Sequence, residues 1–286
     1  MRFLKKLHRN SFLVIVCVLL SPVAMLTGCY ADAPLTTGEA VVPFTPQITI
    51  TTADTTATAE SPFTVDLGQV DDVCRITDAG SYMLSGHLTG RIEIDAQDQV
   101  VQVILAGVEV TSSSGPAFQV LSAGKVIISL QEGTENTFLD GAAYPQNSIA
   151  DACIYSECDL TVNGTGSLNI IGYFQDGVHT KDVLKILGGN VFVQAKQDGL
   201  QGNDGIVVTC ASLQVQSERH GLYTTKTGKI SKGNMEIYNG GHSVVAGGYA
   251  FSCAADLYID QCQMHAMGVL GIHKTAGNAY VMGGTG

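Results

Sequence analysis

Between Gln175 and Val208 the triplet Gln-Asp-Gly occurs twice with its neighbours in step, and this repetition limits the possible folds more than any other feature of the chain. Asp176 returns as Asp198 and Asp182 as Asp204, each 22 residues on. Val178 returns as Leu200 and again as Leu222, while Val191 and Val193 return as Leu213 and Val215. A fixed period in the twenties is the signature of stacked repeats, where one unit cannot bury its apolar side alone but a pile of units can. Within a unit, Leu184-Lys185-Ile186 and Val191-Phe192-Val193-Gln194 alternate apolar and polar, with Gly188-Gly189 between them and Asp198-Gly199 after. Such period-two runs, cut by Gly and Asp, are short strands, and no window has the i, i+3, i+4, i+7 spacing of a helix. Each 22-residue unit therefore reads as three short strands and three turns. Stacking pairs every strand in parallel with its equivalent one coil away, at about 4.8 Å. The expected fold is all-β: a single-stranded parallel β-helix of roughly 22-residue coils. A leucine-rich repeat would need an L-x-x-L-x-L-x-x-N pattern and a helical return, and neither is present.

The pattern extends both ways with insertions. Ile154-Tyr155-Ser156 precedes Val178-His179-Thr180, and Ala250-Phe251-Ser252 is aligned with Leu222-Tyr223-Thr224 across an excess near "TGKISKG". Gln131 to Ala152, rich in Gly, Asn, Asp and Glu, reads as an excursion from the coil. On a strand the residue after a buried aliphatic points outward. That rule aligns Tyr155, His179, Gln201, Tyr223, Phe251 and His273 as an outward strip of rings and hydrogen-bonding groups. Sugar rings have apolar faces and hydroxyl edges, so the strip suits a polysaccharide, and a regular coil rise gives repeated contacts to a repeated polymer.

The first residues combine a basic start (Arg2, Lys5, Lys6, Arg9) with an apolar run from Phe12 to Leu20, built like an export signal. Leu26-Thr27-Gly28-Cys29 follows and resembles the bacterial lipobox, whose Cys is lipidated and tethers the chain without a spanning helix. Residues 1–28 are thus expected to be a lipoprotein signal peptide and 29–62 a Thr/Ala/Pro-rich spacer anchored through Cys29. Residues 63–286 form the β-helix, on the outer face of the bacterial cytoplasmic membrane or at the cell surface. Loss of the leader removes four of the 15 basic residues and none of the 26 acidic ones. The net charge is then about −15, which excludes nucleic acid and anionic membrane surfaces as partners and favours cations or neutral ligands. Cys74, Cys153, Cys158, Cys210, Cys253 and Cys262 form no C-x-x-C pair and are expected as mostly free, partly buried thiols. The chain stops at "YVMGGTG", inside a coil, with no polar cap. A bare β-helix end is a template for pairing, so end-to-end self-association is expected there.

Stacking has an electrostatic consequence. It brings Asp176 beside Asp198 and Asp182 beside Asp204, where like charges repel and raise one another's pKa. The side chains can splay into water, accept N–H bonds within their turns, or share a cation such as Ca²⁺, which takes six to eight oxygens. The third coil breaks both columns, with His220 and Lys226 at the equivalent positions.

The blocks "GSYMLSGHLTGRIEID", "VQVILAGVEVTSSSGPAFQV", "VIISLQEGTENTFLDG", "CDLTVNGTGSLNI" and "DGVHTKDVLKILGGNVFVQAKQDGLQGND" occur in order, spanning roughly Gly80 to Tyr223. Together they resemble the carbohydrate-binding parallel β-helix family of cell-surface proteins from cellulolytic clostridia and related bacteria. The resemblance implies a right-handed coil similar in fold to polysaccharide lyases. It also implies binding of acidic plant polysaccharide or cellulose without a catalytic role, and Ca²⁺ at Asp176, Asp182, Asp198 and Asp204. Family turns often carry a doubled Asp, whereas here the block reads Lys181-Asp182-Val183-Leu184, so carboxylates are fewer. Three functions compete: a calcium-containing binding module for pectin or cellulose, a calcium-dependent pectate lyase-like enzyme, and a structural surface spine. No H-E-x-x-H, G-x-S-x-G or phosphate loop is present. No Arg is expected beside a carboxylate cluster, which ranks the enzyme second.

Overall fold

The structure, a computed structural model, describes residues 45–227 and 232–282; the leader, Cys29 and the first part of the spacer lie outside them. The described strands form a 9-stranded and a 16-stranded sheet with parallel pairing. One coil supplies Asp176–Thr180, Val183–Ile186 and Asn190–Ala195. The next supplies Leu200–Gly202, Gly205–Val208 and Ser212–Ser217, each lying against its equivalent. These series are called here the first, second and third ladders. The long strand Val100–Thr111 joins the last two: its residues 100–105 pair with Lys125–Leu130 of the second ladder and 109–111 with Glu135–Leu139 of the third. The chain turns between those halves at Gly107, whose φ of 80° only glycine adopts freely.

The repeat positions line one continuous core. Val178, Leu200 and Leu222 come from the first ladder, Leu184 and Ile206 from the second, Val193 and Val215 from the third, and all are 1% exposed or less. A glycine column beside them sets how closely coils approach. A Cβ on Gly199 would lie 2.2 Å from Val215 Cγ1 and 2.6 Å from the Gly221 carbonyl oxygen, and Gly177 and Gly221 are equally crowded. All six described cysteines are buried and free.

Three sequence expectations need correction. Phe251 does not face outward: it pairs with Leu222 and is 1% exposed, while Ser252 lies opposite Tyr223. The insertion is one residue longer than assumed, and Ala250 is the counterpart of Gly221, not of Leu222. Ala250 sits at a register shift, between Tyr249 and Phe251, in the pairing with the following coil. The Gln131–Ala152 stretch is only partly an excursion, because Glu135–Leu139 is a strand of the third ladder. Buried Asn136 fastens it there: its side-chain oxygen accepts from the Gly107 and Val108 N–H groups, and its amide donates to the Ser167 carbonyl. Finally, the segment before residue 63 is not all free spacer. Ile48 and Asp54 are 6% and 0% exposed, and residues 47–56 lie across the outer face of the second ladder. Docking starts there because Asp54 finds two lysines on that face. The last described coil exposes apolar groups, including Val269, Leu270 and Ile272.

Candidate functional site

The column expected at Asp176 and Asp198 forms, and it reaches from coil to coil. The Asp198 N–H donates to Asp176 Oδ1 at 2.9 Å, and the His220 N–H donates to Asp198 Oδ1 at 3.0 Å. Both carboxylates are buried, at 2% and 0% exposure. Contrary to expectation, an arginine does stand beside them. Arg219 Nε donates to Asp198 Oδ1 at 2.7 Å and its Nη2 donates to Oδ2 of the same carboxylate. The sequence signal was present, since Arg219 directly precedes the residue that replaces Asp in the third coil. Asp176 has no such partner. Burial, with the neighbouring charges of Asp198 and Asp151, pushes its carboxyl up to about 8.

Asp151, at the end of the insertion, was missed by sequence reasoning because its distance from the next strand breaks the 22-residue step. Its Oδ1 lies 2.6 Å from His179 Nδ1, and His179 Nε2 lies 2.9 Å from the Gln201 amide nitrogen. One assignment satisfies both: a neutral imidazole donates from Nδ1 to Asp151 and accepts at Nε2 from Gln201. Asp151, Asp176 and His179 offer ligand atoms all within 4.8 Å of one another.

At the second acidic pair the Asp204 N–H donates to the Asp182 carbonyl at 3.1 Å. Lys226 Nζ lies 2.6 Å from Asp204 Oδ1, and Lys232 Nζ contacts Oδ2. Lys226, read from the sequence as a break in the column, is thus the counter-charge of Asp204. Burial raises the Asp182 carboxyl, helped by the charges of Asp204 and Asp159.

The outward strip is real in register but not in exposure. Tyr155, His179 and Gln201 lie along one line, as predicted, yet are 0%, 3% and 8% exposed. The insertion covers them: Tyr144, Ala150 and Ala152 pack with Tyr155, and Asp151 caps His179. The Tyr155 hydroxyl donates to Glu157, and Lys181 Nζ lies 5.5 Å from the ring centre. Only Tyr223 and His273 of the six predicted residues reach solvent. There they join two rings that sequence reasoning did not include. His220 lies 5.2 Å from Tyr223 and 5.4 Å from Tyr249, and Tyr249 stacks on His273 at 4.9 Å. Arg219 stands over the Tyr223 ring at 5.6 Å. Tyr249 is the successor of Asp176, Asp198 and His220 in the same column, so the column changes from carboxylates to rings as it leaves the insertion's cover. Burial holds the His220 imidazole below its usual range against the pull of Asp198. The result is a partly exposed platform of two tyrosines and two histidines with one guanidinium at its edge. It offers ring faces for apolar contact and a cation for an anion.

Residues 70–276 match the sequence profile of a family described as carbohydrate-binding domain-containing protein. A relative of that description from Acetivibrio thermocellus is 37% identical over 127 residues, covering 42% of this chain and 44% of its own length. The chain thus matches less than half of that relative. A solved structure described as the polysaccharide lyase-like protein from C. thermocellum, in a gadolinium derivative, aligns with a TM-score of 0.66 and 26% identity. It covers 78% of this chain and 94% of that one.

Proposed function

We propose that this chain, which belongs to the carbohydrate-binding domain-containing protein family, holds acidic plant cell-wall polysaccharide of the polygalacturonate or pectin type at the cell surface without cleaving it. The observation that carries the reading is the platform of Tyr223, Tyr249, His220 and His273 edged by Arg219. Ring faces take the C–H face of a sugar, and the guanidinium takes a uronate carboxylate. Cellulose would use the rings but bring no carboxylate to the guanidinium, which would keep only Asp198. On this reading the coil is right-handed, as parallel crossovers almost always are.

Calcium is the proposed companion ion, and the donor sets differ in how well they fit it. Asp176 with Asp151, and Asp182 with Asp159, bring carboxylates together without a full counter-charge of their own. Ca²⁺ would lower the cost of their ionisation and fix the coil turns. Asp198 and Asp204 already face Arg219 and the two lysines, and fit a shared ion less well. Cys29 is the proposed lipid attachment point, tested by loss of detergent-phase partitioning in Cys29→Ala. Self-association through the apolar groups of the last coil would appear as concentration-dependent sedimentation.

A lyase is the second reading, favoured by one arrangement: Asp151, Asp176, Asp198, His179 and Arg219 do come together. Elimination needs a base that reaches the proton α to a uronate carboxylate. The cluster has two basic groups: His179 is 3% exposed and capped by Asp151, and Arg219 is exposed but held on Asp198. Binding of polygalacturonate with and without chelator tests the first reading. Growth of ultraviolet absorbance from unsaturated uronides would move the second ahead.

A further inference from the structure

Residues 47–56 lie on the outer face of the second ladder, where the Asp54 carboxylate is held by side chains of the coil. The outward column of the second ladder runs Ile127, Thr161, Lys185, Val207, Glu236, and none of these is more than 3% exposed. An outward column is ordinarily wet. Here residues 47–56 run along it, crossing from Glu236 back to Gln102. The attachments are nearly all polar. Glu236 Oε1 accepts from the Gln47 and Ile48 N–H groups at 2.7 and 3.1 Å. Asn163 donates to the carbonyls of Asp54 and Thr56, and Gln102 to that of Thr56. At the centre, the Asp54 carboxylate accepts from Lys125 Nζ at 2.8 Å, Lys185 Nζ at 2.9 Å and Thr161 Oγ1 at 2.8 Å. Burial would raise that carboxyl, but the Lys125 ammonium, the Thr51 N–H and the Lys185 ammonium outweigh it and hold it well below the usual carboxylate range. Of the two isoleucines in the segment only Ile48 is buried, while Ile50 is 41% exposed.

Beyond the Glu236 carboxylate at one end, the floor is two ammoniums, a hydroxyl and two amides, met by one carboxylate and several backbone oxygens, and that part has the donor pattern a uronic acid chain requires. We propose that residues 47–56 are an internal stand-in for a polyuronate, and that the second-ladder face beneath them is a further polyuronate-binding groove that opens when this strap is displaced. The proposal rests on the acidic-polysaccharide reading given above, but concerns a different face of the molecule. An incoming uronate replaces like with like: its carboxylate takes the place of Asp54 on Lys125 and Lys185, and its hydroxyls take the strap carbonyls' places on Asn163 and Gln102. A neutral glucan supplies no carboxylate and leaves both ammoniums buried without a counter-charge, which is costly.

The test is hydrogen exchange by mass spectrometry on the full chain, with a hexameric oligogalacturonide, a cello-oligosaccharide of equal length, or no sugar. The expected result is exchange in residues 47–56 faster on the order of tenfold with the uronate alone, since local opening sets protection. A second measurement uses Asp54→Asn, checked for its β-sheet circular dichroism, and counts oligogalacturonide sites by titration. One more site than in the unaltered protein is expected, and Lys125→Gln added to Asp54→Asn should remove it. Tyr249→Ala separates the two surfaces: it should weaken the platform site about tenfold and leave the affinity of the site opened by Asp54→Asn unchanged. Unchanged strap protection together with an unchanged site count in folded Asp54→Asn overturns the groove, and does so whether or not the platform binds. Platform binding that Tyr249→Ala leaves undiminished would leave the groove standing and remove the first reading.

Discussion

Asp176 shows at the scale of a single residue how stacking rewrites acid–base chemistry. Its carboxyl is lifted from 3.8 to about 8 by burial and by the charges of Asp198 and Asp151. The folded state therefore holds a proton that the unfolded chain has already released. Stability from this group is complete below about pH 4 and is lost as pH rises towards 8. Asp176→Asn removes the titration while keeping an acceptor for the Asp198 N–H. Without metal, its Tm at pH 7 is expected above that of the unaltered protein, with a flatter Tm profile between pH 4 and 8. If Ca²⁺ sits here, adding it raises the Tm of the unaltered protein and not that of Asp176→Asn. Equal calcium shifts in both proteins would remove Asp176 from the ion site. On the platform, Tyr249 stacks on His273 with one face and neighbours His220. Tyr249→Ala should weaken polygalacturonate binding about tenfold, a change of roughly 1.4 kcal/mol. Gel-retardation affinity would read it, and an undiminished affinity would move the site elsewhere.

At the scale of the element, the glycine column decides coil spacing. Gly199→Ala puts a methyl 2.2 Å from Val215 Cγ1 and 2.6 Å from a backbone oxygen. The neighbours must shift, at a cost of about 1–3 kcal/mol, seen as a lower Tm in thermal unfolding. An unchanged Tm would mean that coil spacing is softer than the packing implies. Ala250 occupies the same column position further on, and there the ladder shifts register. Phe251 was assigned to the wrong face because the step from Leu222 to its partner is one residue longer than assumed, which reverses the face; the shift at Ala250 then restores the phase, and His273 faces out as expected. The ladders themselves were legible because Val178, Leu200 and Leu222 keep one period and pair as that period demands. The burial of Tyr155 and His179 was not legible. It comes from the insertion, which has no repeat to align, and from Asp151 within it. The strap was also hidden, since its composition resembles a linker and its hold depends on Lys125 and Lys185, far away in sequence.

At the scale of the whole molecule, the coil sorts its chemistry by position. The acidic column lies under the insertion, the rings emerge beyond it, and the strap occupies the second ladder's outer face. Chain-wide acidity would repel a polyanion, so binding must come from local cations such as Arg219 and should depend on ionic conditions. The most direct measurement is a crystal structure of the protein soaked with calcium and an oligogalacturonide. The account predicts sugar rings lying on Tyr223, Tyr249 and His273, with a uronate carboxylate at Arg219. Sugar bound only on the third ladder, in the cleft lined by Gln214, Ser243 and His265, with the tyrosine platform bare, would contradict it.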